Sequence, residues 1–176
     1  ADASLPLIYL TGQIKENPST APNFCMLLRK HIGNARILSV TQPNFERIVE
    51  MQLEHLDEMG DLCQKKLIVE IMGKHSNIIF TDADGTIIDS IKHISHQVSS
   101  VREVLPGRTY VYPPAQEKEN PLDIDINYFM NHVLRKPVSV TKAIYTSLTG
   151  LSPVIANEIC YRAGVDGGMS TAGLSM

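Results

Sequence analysis

The stretch from Gly150 to Val165 holds the residues of this chain best suited to chemistry on a charged ligand. Gly150-Leu151-Ser152-Pro153 reads as a tight turn feeding a helix that ends at Gly164, and Val138 to Leu148 reads as a helix before it. A helix opening out of such a turn presents unpaired backbone N–H groups and the positive end of its dipole. Gly150 and Ser152 thereby frame a socket for one phosphate, which points to a nucleic-acid partner. Pro153 has no N–H to donate there. The same spacing also serves packing alone, since Ala156, Ile159 and Ala163 recur at core intervals. Lys74-His75 forms a tight basic-polar turn within Glu70 to Ile79, where Gly73 permits the turn and Ser76 and Asn77 suit bonding to local backbone. His93-x-x-His96 has the spacing of a metal-ligand pair but no third ligand near it in sequence. With no Ser/His/Asp arrangement, phosphate loop or metal cluster, the chain reads as a binding protein without cofactor rather than an enzyme.

The elements that must position these residues fit a chain of 176 residues, enough for one large or two small domains. Hydrophobic content of 43% and charged content of 20% are those of a globular protein. A net charge of −3 supplies no global field for nucleic acid, so binding must come from local patches. Cys25, Cys63 and Cys160 are scattered and odd in number, which fits reduced thiols in a cytoplasmic protein better than disulfides or structural zinc. No run approaches membrane-spanning length, so no membrane insertion is expected. A start at Ala1 without Met, directly before a strand-like run from Leu5 to Thr11, reads as an internal piece of a longer protein.

Pro22 is placed to open a helix through Phe24, Leu27, Leu28 and His31 that stops at Gly33-Asn34. Ala35 to Thr41 reads as a strand. Phe45, Arg47, Val49, Met51 and Leu53 alternate with polar residues as in a half-buried strand, which places Arg47 on the apolar face. A polar loop from His55 to Gln64 and a strand from Lys65 to Met72 follow. Ser76 to Thr81 and Thr86 to Ile91 flank the hairpin turn Asp82-Ala83-Asp84-Gly85. Ser95 to Glu119 is loop-like, Pro121 opens a helix through Tyr128, Phe129, Val133 and Leu134, and Pro137 starts the next. The pattern predicts an α+β fold: a mostly antiparallel β-sheet domain over 1–117, then a helical domain with a helix-hairpin-helix turn over 118–176.

Five runs together carry a resemblance: Phe24 to His31, Glu46-Arg47-Ile48, Glu70 to Ile79, Ser100-Val101-Arg102-x-Val104-Leu105-Pro106-Gly107, and Tyr112-Pro113-Pro114-Ala115-Gln116-x-Lys118. In that order they resemble the N-terminal domain of the NFACT proteins, the bacterial RqcH family, historically called fibronectin-binding protein A in Gram-positive bacteria. The resemblance implies an RNA-binding factor of ribosome-associated quality control. Its partners are the obstructed large ribosomal subunit, rRNA and tRNA (alanyl-tRNA in bacteria), and it serves C-terminal tailing of stalled nascent chains. An Asp-Arg dipeptide matters in that family, and Glu46-Arg47 holds its position here. Within this reading Arg47 suits bidentate phosphate recognition, and Glu46 orients it or reads a base or ribose hydroxyl. Lys74 and His75 add RNA contacts from their basic-polar turn. Arg102 and Lys118 either meet phosphate or pin their loops to an acidic neighbour.

The run Leu148-x-Gly150-Leu151-Ser152-x-x-x-Ala156-x-x-Ile159 resembles the helix-hairpin-helix pattern, with Ser152 where a second Gly is usual. It is also similar to the helix–two-turn–helix of formamidopyrimidine-DNA glycosylases, to whose N-terminal domain the resemblance implies a likeness in fold, here without its first strands. A DNA-binding, glycosylase-like protein lacking its catalytic Pro-Glu start is therefore one alternative, since the chain begins Ala1-Asp2-Ala3. A surface adhesin binding fibronectin is another.

Overall fold

The computed structural model describes residues 6–174. Its strands run β1 (Arg36–Thr41), β2 (Ile48–Leu56), β3 (Leu62–Glu70), β4 (Asn77–Asp82) and β5 (Ile87–Ser90), and each pairs antiparallel with the next. Local turn chemistry makes this meander. The Asp57 carboxylate accepts the amides of Met59 and Asp61 at 2.9 Å, closing the β2–β3 turn. In the β4–β5 turn Gly85 takes a positive φ of 89°, which only Gly adopts without strain, and the Asp84 carboxylate accepts from Thr86.

The sheet is covered on both faces. On one face Ile48, Ile68, Ile79 and Ile87 bury against Val104, Ile94 and Tyr110 of the segment that follows β5. Ile68 sits opposite Ile79 and Ile48 opposite Glu70, so Glu70 shares that face and is itself buried. The other face carries Phe80, fully buried, with the His31 ring 6.0 Å from it. His31 belongs to α1 (Asn23–Ile32), which packs on β2. All of β1 is exposed, as suits an edge strand.

The second region is helical: α2 (Ile126–Tyr128) runs into a π-helical turn (Phe129–Val133), followed by α3 (Val140–Ser147) and α4 (Pro153–Arg162). Its core joins Val133, Val140, Ala143, Ile144, Leu148, Ala156 and Cys160. Side-chain caps fix where these helices start: Asp125 accepts from Tyr128, Ser139 from Lys142 and Ser152 from Ile155. The chain divides into two compact units. One comprises the residues up to Pro43 with Arg47–Pro113, here the sheet unit, and the other Asn44–Glu46 with the residues from Pro114, the helical unit. The fold class is α+β, with a five-stranded antiparallel sheet.

Several elements differ from the pattern. Residues 6–11 form no strand, and Leu5 lies outside the described residues. Pro22 is the N-cap of α1 rather than its first residue, with ψ 153° and its carbonyl accepting the Met26 amide at 3.1 Å. β2 begins at Ile48, because Pro43–Phe45 form a 3-10 turn, and it runs on to Leu56, so the predicted loop shrinks to the Asp57 turn. Val49, Met51 and Leu53 of the predicted alternation keep to the face that carries Phe80, Ile48 buries on the opposite face, and Arg47, which precedes the strand, is exposed instead of joining either. The Pro121 region is a turn, and Asp125, not proline, opens the helix.

Candidate nucleic-acid interface

Pro43 to Ile48 shows how sequence builds an unusual corner. Asn44 and Phe45 both have positive φ, 51° and 57°. Asn tolerates that region, but for Phe it is strained, so surrounding packing must hold it. The packing is visible within the helical unit. A methyl placed on Gly150 would lie 2.5 Å from Phe45 Cδ1 and 3.1 Å from its carbonyl oxygen, so the ring rests on the glycine backbone. Gly150 has φ 74°, a second reason for its identity. Glu46 follows in the same unit, half-buried. Arg47 opens the sheet unit's next segment: its carbonyl accepts the Ile71 amide at 2.8 Å, while its exposed side chain makes no ion pair among the described residues. A guanidinium held by a fixed backbone and open to solvent can grip a phosphate with two parallel hydrogen bonds.

The turn between α3 and α4 gathers Gly150, Ser152 and Lys118. Thr149 donates its amide to the Glu119 carbonyl at 2.8 Å and its hydroxyl to the Lys118 carbonyl at 3.2 Å, so the segment at Lys118 lies along the turn. The Lys118 ammonium donates to the Tyr145 carbonyl at 2.8 Å, near the C-terminal end of α3 where a cation is favoured. The Ser152 hydroxyl accepts the Ile155 amide at 3.3 Å, and Pro153 supplies no amide. The N-terminus of α4 is thus largely satisfied from within.

In the sheet unit Lys74 and His75 sit on a 3-10 turn, Gly73–His75, with both side chains exposed. Buried groups beneath hold the turn. Ser76 Oγ accepts the Met72 amide at 2.9 Å, and the Asn77 side chain accepts the Lys92 amide and donates to its carbonyl, both at 2.9 Å. Lys92 Nζ reaches the Lys74 carbonyl at 2.9 Å, which brings a second lysine to this corner.

Arg102 has a different setting. Its guanidinium donates to Glu70 Oε2 at 2.5 Å and to the Val111 carbonyl at 2.8 Å, and Tyr110 donates its hydroxyl to Glu70 Oε1 at 2.9 Å. The Arg102 side chain is 11% exposed and that of Glu70 0%. Burial first, then the charge of Glu70, pushes the Tyr110 phenol well above its ordinary range. Arg102 therefore pins its loop to the sheet. Glu70 and Tyr110 were not singled out from sequence; a carboxylate ending an apolar strand was the available signal. Nearby, Tyr112 bonds Glu50, and burial together with that carboxylate pushes its phenol up to about 12.

His93 and His96 turn to separate carboxylates, Asp89 at 2.6 Å and Glu103 at 3.4 Å, instead of converging. No metal-holding cluster occurs among the described residues. A cleft of about 510 Å³ lies elsewhere in the sheet unit, lined by His31, His55, Asp57, Cys63 and Lys65 among others, and includes none of the predicted site residues.

The family model described as NFACT N-terminal and middle domains matches residues 1–176. The chain is 43% identical over 166 residues to the Rqc2 homolog RqcH of Bacillus subtilis (strain 168), covering 94% of this chain and 29% of that protein. It is 33% identical over 167 residues to the archaeal Rqc2 homolog aRqcH of Methanocaldococcus jannaschii, covering 90% and 23%. It thus spans less than a third of these relatives' length. Among solved structures, the N-terminal part of the fibronectin/fibrinogen-binding protein from Streptococcus suis superposes with TM-score 0.85 at 34% identity, over 94% of this chain and 62% of that one. The N-terminal domain of fibronectin-binding protein PavA from Streptococcus pneumoniae gives 0.84 at 35%, over 93% and 61%.

Proposed function

The chain belongs to the NFACT family, and on that premise we propose that it is an RNA-binding part of a ribosome-associated quality-control factor. The factor binds the obstructed large subunit and recruits tRNA (alanyl-tRNA in bacteria) so that stalled nascent chains receive a C-terminal tail. Likeness across nearly the whole chain to proteins named as Rqc2 homologues is the observation that carries this reading. Peptide-bond chemistry then belongs to the ribosome and this chain positions its partners, acting as a cytoplasmic binding protein and not an enzyme.

The residues divide into two roles. Arg47 grips phosphate, Glu46 meets a ribose hydroxyl or base edge, and at an exposed turn Lys74 adds a cation and His75 a ring that can hydrogen-bond. The α3–α4 turn with Gly150 and Ser152 acts as a helix-hairpin-helix, and the functional boundary falls near residue 117. Arg102 and Lys118 act as positioning residues, through Glu70 and the Tyr145 carbonyl. Crosslinking of the full-length protein in cells, followed by sequencing of bound RNA, should return tRNA and large-subunit rRNA; return of neither overturns the reading. Arg47→Ala should weaken tRNA binding about tenfold, the loss of one bidentate charged contact.

Fibronectin binding is a second reading, favoured by the descriptions of both solved structures. It requires presence at the cell surface. Fractionation that finds the full-length protein mainly there, with fibronectin captured by intact cells, would support it, and recovery only with ribosomes would exclude it.

A further inference from the structure

From Ile126 to Asn157 the chain contains no Asp or Glu, although acidic residues outnumber Lys and Arg 19 to 16 overall. The interval spans α2, the π-helical turn, α3 and the opening of α4, all in the helical unit. Its Lys and Arg residues are Arg135, Lys136 and Lys142. All three are exposed, and none makes an ion pair among the described residues. The backbone that carries them is well fixed. The Lys136 carbonyl accepts the Thr171 hydroxyl at 2.6 Å and the Val138 amide at 2.7 Å, and the Lys142 amide donates to the Ser139 hydroxyl at 3.4 Å. The first two amides of α3 are taken by the carbonyls of Met169 and Gly167, at 2.9 and 3.1 Å, so an anion drawn here must meet side chains and not a helix terminus. Asp166, beside Gly167, turns its carboxylate to the Gly168 amide at 2.9 Å.

Three exposed cations without carboxylate partners, in a carboxylate-free interval of an acidic protein, supply the local positive charge that a polyanion requires. We infer that Arg135, Lys136 and Lys142 form an RNA-backbone contact of the helical unit, holding successive phosphates without reading bases. This rests on the RNA-binding reading above but on none of the residues placed in it. On the turn that carries Arg135 and Lys136, Leu134 is half-buried in the core cluster, and Lys142 lies on α3 between the buried Thr141 and Ala143, so a ribose-phosphate chain fits better than an amphipathic helix or a lipid surface.

The test is fluorescence anisotropy of a labelled tRNA transcript with the 176-residue chain across a salt series. Arg135→Ala/Lys136→Ala/Lys142→Ala should weaken binding at least tenfold and lower the slope of log K against log salt by about 2, at roughly 0.7–0.9 per lost phosphate contact. The thermal midpoint should stay within about two degrees, since the three side chains are exposed. A charge control, Lys15→Ala/Lys66→Ala, should change affinity less than about twofold. Unchanged affinity and slope in the triple variant overturn the inference. If Arg47→Ala weakens binding and the triple variant does not, the inference falls and the assignment of Arg47 stands. If the triple variant loses binding and Arg47→Ala does not, the inference stands and that assignment falls. Equal competition by poly-L-glutamate at matched charge would also overturn the assignment to RNA.

Discussion

In the sheet unit Lys30, Arg36, Lys65, Arg102 and Arg108 each lie 2.5 to 3.6 Å from a carboxylate oxygen. In the helical unit Arg162 meets Glu158 at 2.7 Å, while Arg135, Lys136 and Lys142 meet none among the described residues. The sheet pairs do not contribute equally. Four have at least one exposed partner and are worth little individually, because water and salt screen them. Glu70–Arg102 is buried on both sides and is of another kind. The contrast separates two uses of charge. Carboxylates neutralise five cations of the sheet unit in place and, at one point, lock a loop, whereas Arg135, Lys136 and Lys142, like Arg47 and Lys74 of the sheet unit, meet no carboxylate among the described residues and are open to a polyanion.

Arg102→Ala should break that comparison at its strongest point. It leaves the Glu70 carboxylate buried without its cation, at a cost of about 3–5 kcal/mol in urea unfolding. Glu70→Leu/Arg102→Leu should recover most of the loss, because removing both charges also removes the burial penalty. A loss under about 1 kcal/mol for Arg102→Ala would place this pair with the exposed ones.

Gly150→Ala should come next, and it sharpens the comparison by showing that shape, not charge, sets the helical turn. The new methyl meets the Phe45 ring at 2.5 Å and forces a non-glycine residue to φ 74°. Together these should cost about 2–3 kcal/mol. In a Phe45→Gly background the ring clash disappears, leaving the backbone strain and the 3.1 Å approach to the carbonyl oxygen of residue 45, so the two changes should be non-additive by about 1 kcal/mol. Additivity within error would mean that the ring does not rest on Gly150 in solution.

The α+β class, the consecutive antiparallel strands and the Asp82–Gly85 hairpin were legible in the sequence because they depend on local periodicity and turn chemistry. The start of β2 was not. Phe45 and Arg47 continue the alternation perfectly well, and what ends the strand at Ile48 is the packing of Phe45 on Gly150, over a hundred residues away in the chain. That Arg102 could pin its loop to an acidic neighbour was legible, but which neighbour was not: Glu70 is 32 residues back and reads only as a polar residue within the predicted strand. The exposed turn at Lys74-His75 was readable because Gly73, Ser76 and Asn77 carry it locally. The acid-free interval around Arg135 was equally open to inspection, since it needs no structure to see. Only its contrast with the paired cations of the sheet unit gives it meaning.

The smallest expected effect concerns pH and tests whether pairing has neutralised the field beside the sheet. His31 stands at the end of α1 against Phe80, and its pKa is held below the ordinary 6.5. Burial contributes most, followed by Lys65, Lys30 and His55, while Asp82 alone opposes them. The unfolded chain therefore takes up this proton at a higher pH than the native one. Native stability should fall as pH drops below about 6.5 and level off once the native His31 is also protonated. Denaturant unfolding at a series of pH values should show this decline in the wild-type chain and a flatter profile in His31→Gln. The effect should be modest, because the ring is partly exposed and solvent screens the lysines. Direct titration of the His31 ring by NMR gives the sign without relying on stability. A native pKa above 6.5 would mean that Asp82 outweighs burial and both lysines, so that the sheet unit carries a surplus of negative field at this end rather than a cancelled one.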